Sequence, residues 1–72
     1  MISKTHSAFM ALTYARCGFW NDCWLALADA DRRLFERVEG YCGAPITQTC
    51  KYQAIAIEVW LKEQGIATDT GN

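Results

Sequence analysis

Any chemistry in this chain would have to come from four cysteines, one histidine and a short run of arginines, so these residues set the first question. Cys17, Cys23, Cys42 and Cys50 are separated by five, eighteen and seven residues. Zinc ligands usually arrive in closer pairs, about two to four residues apart, so this spacing argues poorly for a metal. The segment from Met1 to His6 carries no charged stretch followed by an apolar run, so the chain reads as cytoplasmic. Thiols stay reduced in that compartment. The favoured reading of the cysteines is therefore small apolar core residues, with a disulfide or a metal site as the lesser alternatives. His6 falls in the first turn of a helical segment with no nucleophile set beside it, and reads as a solvated surface residue. No Gly-rich phosphate loop, His and carboxylate cluster or Ser, His and Asp set is present. The expectation is a protein with no catalytic residues, no cofactor and no small-molecule ligand.

Arg32, Arg33 and Arg37 form a small basic patch, the one feature that could grip phosphate. Acidic residues are interleaved with it: Asp29 with Arg33, and Arg32 with Glu36, stand four apart as ion pairs on a solvated helix face. Seven Lys and Arg against eight Asp and Glu leave a net charge of -1, which provides no general attraction for a polyanion. Nucleic acid is disfavoured as a partner, and a small DNA-binding transcriptional regulator using the three arginines is the alternative function. Asp31 interrupts an otherwise apolar stripe. A carboxylate facing a core must be paired, so a structural ion pair with Arg16, Lys51 or an arginine of a second chain is expected, ahead of a role in binding.

These residues must be positioned by helices, and the pattern predicts three. The chain turns at residues 14–27, where one apolar segment stops and a longer one begins. Helix 1 is predicted over about 4 to 17, capped by Ser3 and ended by Gly18, with Ala8, Leu12 and Ala15 as its inner stripe and Phe9 and Ala11 widening it. Helix 2 is predicted over about 22 to 39, with Asn21 as its cap and Trp20 and Leu25 stapled around that cap. Trp24, Leu27, Ala28, Leu34, Phe35 and Val38 recur at three- and four-residue steps along it. Two glycines and Pro45 mark the next reversal. Helix 3 is predicted over about 47 to 64, and Gly65 ends it with Ile66 folding back on Leu61. Its residues divide into two apolar stripes: Ile46, Cys50, Ala54, Ile57 and Leu61, then Tyr52, Ile55, Ala56 and Val59, with Trp60 between them. Residues 1–66 make a single helical domain and 67–72 a frayed tail.

At the elbow, Ala11, Tyr14, Gly18, Trp20, Cys23, Leu27 and Ala30 stand at the small, Tyr, Gly, aromatic, Ala, large apolar and Ala positions of a tetratricopeptide (TPR) repeat, which the segment resembles from about Ser7 to Phe35. Phe35, where that family tends to have Pro, would let helix 2 run on. The same run is similar to the ANR family of small bacterial and phage regulators, although the later part of that family's pattern is not reproduced after Gly43. The resemblance implies a cofactor-free protein that tunes expression by binding other regulators. The fold expectation is all-α: a TPR-like antiparallel helical hairpin with a third helix packed across it.

Function is then a matter of what covers the apolar surplus. The composition is 51% hydrophobic with three Trp, three Tyr and three Phe in 72 residues, and a chain this short has a thin core. Two short helices cannot cover both stripes of the third, so a second subunit is expected and the chain reads as a homodimer. Phe19, Trp24, Tyr52, Val59 and Trp60 are the expected apolar anchors for a partner protein, with Arg32, Arg33 and Arg37 steering an acidic one. No run approaches the roughly 18 apolar residues of a membrane span. The expected role is a small protein-interaction module that regulates or inhibits a bacterial host protein, of the kind phages and mobile elements encode.

Overall fold

In a computed structural model, residues 4–42 and 49–66 are described, and these form four α-helices and no strand: α1 Lys4–Cys17, α2 Trp20–Ala30, α3 Arg32–Cys42 and α4 Thr49–Glu63. The all-α expectation holds. The expected caps at Ser3, the reversal around Pro45, the stripe position Ile46, the start of helix 3 at 47 and the tail 67–72 lie outside the described residues.

Helix α1 stops where a side chain would be strained. Gly18 takes φ 87°, its N-H bonds the Ala15 carbonyl at 3.2 Å, and the Phe19 N-H reaches back to the Tyr14 carbonyl at 2.8 Å. This pair of bonds satisfies carbonyls that the helix end would otherwise orphan. The Phe19 carbonyl then accepts from the Cys23 N-H at 3.0 Å, so Phe19 both closes α1 and opens α2. That economy overturns the expected cap at Asn21. Helix α2 begins at Trp20 with Phe19 as its cap residue and no side-chain cap bond, and Asn21 is already inside the first turn. The Trp20 and Leu25 staple is lost with it, since both residues sit inside α2 and Leu25 is largely exposed.

The expected helix over 22 to 39 is two helices, which begin at Trp20 and run past the expected end at Glu39 to Cys42. Asp31 breaks it with φ -145° and ψ 131°; its Oδ1 accepts from the Arg33 N-H at 2.8 Å and its carbonyl accepts from the Phe35 N-H at 2.9 Å. Asp31 is therefore the N-cap of α3, and its carboxylate meets a backbone N-H where an ion pair was expected. Arg16, one of the expected partners, bonds Glu58 at 2.9 Å. In an unbroken helix residue 31 would lie beside Leu27 and Leu34 on the buried stripe. The break removes a carboxylate from the core and satisfies one N-H of the new helix. It also cancels the helical spacing of Asp29 and Arg33. Across the break the Trp24 and Phe35 rings meet at 5.3 Å and 59°.

Helix α2 packs extensively on α1, with only Gly18 and Phe19 between them, while α4 packs on both α1 and α3. Arg37 bonds Glu63 at 2.6 and 2.8 Å, and the Tyr41 and Tyr52 rings meet at 6.0 Å, so α3 and α4 run antiparallel. The core comprises Ala8, Ala11, Leu12 and Ala15 from α1, Cys23, Leu27 and Ala30 from α2, Leu34 and Val38 from α3, and Ala56, Ile57 and Leu61 from α4. Half of these are Ala or Cys, which lets the helix axes approach closely. Of the expected helix 2 stripe, Leu27, Leu34 and Val38 are buried, Trp24 and Phe35 are half-buried, and Ala28 is exposed. Gly65 at φ 78° ends the last helical segment as expected: its N-H bonds the Lys62 carbonyl and the Ile66 N-H bonds the Leu61 carbonyl, each at 3.0 Å. Ile66 packs against the core.

Candidate interaction surface

The outer side of α4 keeps two large apolar side chains partly exposed. Stepping along the helix, Gln53, Ala56, Ile57 and Leu61 are buried, whereas Tyr52 is 39% and Val59 42% exposed. Tyr52 and Val59 are seven residues apart and so share a face, with half-buried Ile55 between them. Trp60 is half-buried and packs on the core, nearer the inner side than its expected role as an anchor requires.

Two contacts bring further aromatics to the same end. Gln53 Nε2 donates to the Trp20 carbonyl at 3.2 Å, which holds the start of α2 against the first half of α4. Here Phe19 is 56% and Trp20 37% exposed. Tyr41, near the end of α3, packs edge-on to Tyr52 and is itself largely exposed. Phe19 and Trp20 at the elbow are thus exposed apolar side chains, while Tyr41 and Tyr52 form an aromatic margin where α3 meets α4. The expected anchor Trp24 is half-buried against Phe35.

The three arginines stand on α3, two of them engaged with carboxylates. Arg37 makes a bidentate pair with Glu63, and Arg32 Nε lies 3.3 Å from Glu36 as the spacing predicted. Mutual bonding raises the Arg37 pKa and lowers that of Glu63, hydrogen bonding being the main cause in each case. Arg33 is exposed, and only its backbone N-H serves the cap at Asp31.

Sequence reading missed Trp20, Tyr41 and Gln53. Gln53 is fully buried, and its Oε1 has no hydrogen-bond partner among the described residues. Its signal was present in the spacing, since residues 53, 57 and 61 recur at four-residue steps, but its polar type hid it.

The thiols divide by depth. Cys17 is exposed, Cys23 buried, and Cys42 and Cys50 half-buried. Burial, with smaller contributions from Cys50 and Cys42, pushes the Cys23 pKa up to about 12, and burial followed by Cys50 raises that of Cys42. Among the described residues no group of three or more His, Cys, Asp or Glu is placed to hold a metal ion, and no helix is long and apolar enough to cross a membrane. His6 borders a shallow open hollow with Phe9, Met10, Thr13 and Tyr14. A second hollow, flanked by Asp22 and Asp29, holds exposed Leu25 against Met10, Tyr14 and Ala26.

Comparison with protein-family models, with curated proteins and with solved structures finds no match to this chain.

Proposed function

We propose that this chain is a small non-enzymatic protein-interaction module, a regulator or inhibitor whose contact surface is the outer side of α4 with the aromatic margin beside it. The observation that carries this reading is the exposure of Tyr52 and Val59 on a helix that buries Gln53, Ala56, Ile57 and Leu61. Large aromatics at a partly exposed margin suit an interface, because they supply contact area for few rotatable bonds. The first partner is a second copy of the chain, joined through α4 as a homodimer, and a bacterial host protein is the target the module acts on. Burial of Ala11, Cys23 and Ala30 supports a hairpin packed in the TPR manner, and the likeness to small bacterial and phage regulators suits a role without a cofactor.

The DNA-binding alternative has less support. Arg37 and Arg32 are already engaged with Glu63 and Glu36, and releasing them to phosphate would leave those carboxylates facing a polyanion. The test of the interaction surface is the double substitution Tyr52→Asp with Val59→Asp. It should convert the dimer to a folded monomer in analytical ultracentrifugation. A mass unaltered by the two charges would remove α4 from the interface.

A further inference from the structure

Three of the four cysteines converge at one end of the molecule, and the proposed interaction surface makes no use of them. Cys42 is the last residue of α3, Cys50 stands in the first turn of α4, and the antiparallel pairing of these helices brings the two ends together. Just beside them Tyr41 and Tyr52, the chain neighbour of Cys42 and the residue two beyond Cys50, have ring centroids 6.0 Å apart. Val38 and Cys42, four apart on α3, both pack against the core, and Cys50 lies seven residues before fully buried Ile57 on α4. Cys42 and Cys50 thus both lie on the buried sides of their helices. Both are also half-buried, within reach of a small reagent.

We propose that Cys42 and Cys50 are a dithiol pair that a low-molecular-weight disulfide such as glutathione disulfide oxidises to an intrachain bond, stapling the end of α3 to the start of α4. Burial raises the Cys42 pKa and slows its attack, so the first exchange is assigned to Cys50. The Cys50 thiolate attacks one sulfur of glutathione disulfide and the S-S bond breaks; a mixed disulfide forms and one glutathione leaves, taking up the proton that Cys50 gave to solvent. The Cys42 sulfur, losing its proton to solvent, then attacks the Cys50 sulfur, and the second glutathione leaves and is protonated. The chain gives up two electrons and two protons, and one glutathione disulfide becomes two glutathione thiols. Cys23 takes no part: it is fully buried and held as a thiol, so neither its sulfur nor its proton is accessible.

The experiment equilibrates the full chain with defined ratios of reduced and oxidised glutathione, quenches with acid, alkylates remaining thiols and digests with trypsin. Cleavage after Arg37 and Lys51 places both cysteines in one peptide, residues 38–51, while Cys17 and Cys23 fall together in residues 17–32. The expected result is peptide 38–51 lighter by two hydrogens and unalkylated, with residues 17–32 alkylated at Cys23. Because the fold brings the thiols together, half-oxidation in native buffer should need at least tenfold less oxidising glutathione than in strong urea, where only the short connecting chain does so. A Cys42→Ser variant should stop at one glutathione attached to Cys50. The proposal is overturned if 38–51 remains fully alkylated, if glutathione stays attached without ring closure, if Cys50 appears cross-linked to residues 17–32, or if the native and urea midpoints coincide.

Discussion

Replacing Asp31 by Ala decides between two structures of the same segment, because the sign of the effect differs. In the broken arrangement the carboxylate accepts a 2.8 Å bond from the Arg33 N-H and caps α3. Loss of an Asp cap costs about 1 kcal/mol, within a range of roughly 0.5 to 2. A chain of 72 residues unfolds with an entropy of about 0.15 kcal/mol per kelvin, so Asp31→Ala should lower Tm by about 7 °C. Asp31→Asn, which keeps an acceptor at the same atom, should recover most of that loss. In a continuous helix over 22 to 39, residue 31 would face Leu27 and Leu34, and Ala would be better there than a carboxylate on both propensity and burial. Thermal unfolding followed by far-ultraviolet circular dichroism reads the difference directly. A Tm that rises in Asp31→Ala would refute the cap and restore the unbroken helix.

Other substitutions test separate parts of the account. Gly18→Ala finds open space for its Cβ but must hold φ 87°, so it should destabilise by about 1 kcal/mol through backbone strain alone, read as a lower urea midpoint with an unaltered slope. Gln53→Leu removes the buried Oε1 that has no partner, an atom whose desolvation costs about 1 to 3 kcal/mol, and should raise Tm even though the bond to the Trp20 carbonyl goes with it; a lower Tm would mean that this bond outweighs the orphaned oxygen. For the Arg37 and Glu63 pair the folded carboxylate has a depressed pKa, so its contribution is complete above the ordinary glutamate range and fades as pH falls through the lowered value. Glu63→Gln should therefore flatten the acid side of the stability profile and leave the neutral-to-basic side parallel to that of the parent.

Helix ends were legible where glycine set them. Gly18 and Gly65 require positive φ whatever surrounds them, and both occur where the apolar pattern stops. The break at Asp31 was not legible, because the apolar residues on either side continue at helical steps and periodicity alone cannot register a single extended residue. Only the type of that residue, an aspartate ahead of a new apolar run, carried the signal, and it competed with a plausible ion pair. Asn21 misled for the opposite reason. It has the preferred cap chemistry, but the bonds closing α1 already commit Phe19 as the junction, and that depends on a backbone path rather than on composition. The apolar excess of the last helix predicts two stripes; Tyr52 and Val59 are exposed, whereas Ala56, expected beside them, is buried in the core. Which aromatics join Tyr52 and Val59 was not legible, since Trp20 and Tyr41 reach that end only through contacts between helices distant in sequence, made by Gln53 and Tyr52.

Sedimentation equilibrium of the full chain, over a concentration series and beside the Tyr52→Asp, Val59→Asp variant, tests the central claim that a second copy covers the outer side of α4. The account predicts twice the 8.1 kDa chain mass for the parent and a single chain mass for the variant, with helical content preserved in both. A parent that sediments as one chain at every concentration, or a variant that keeps the doubled mass, would contradict it.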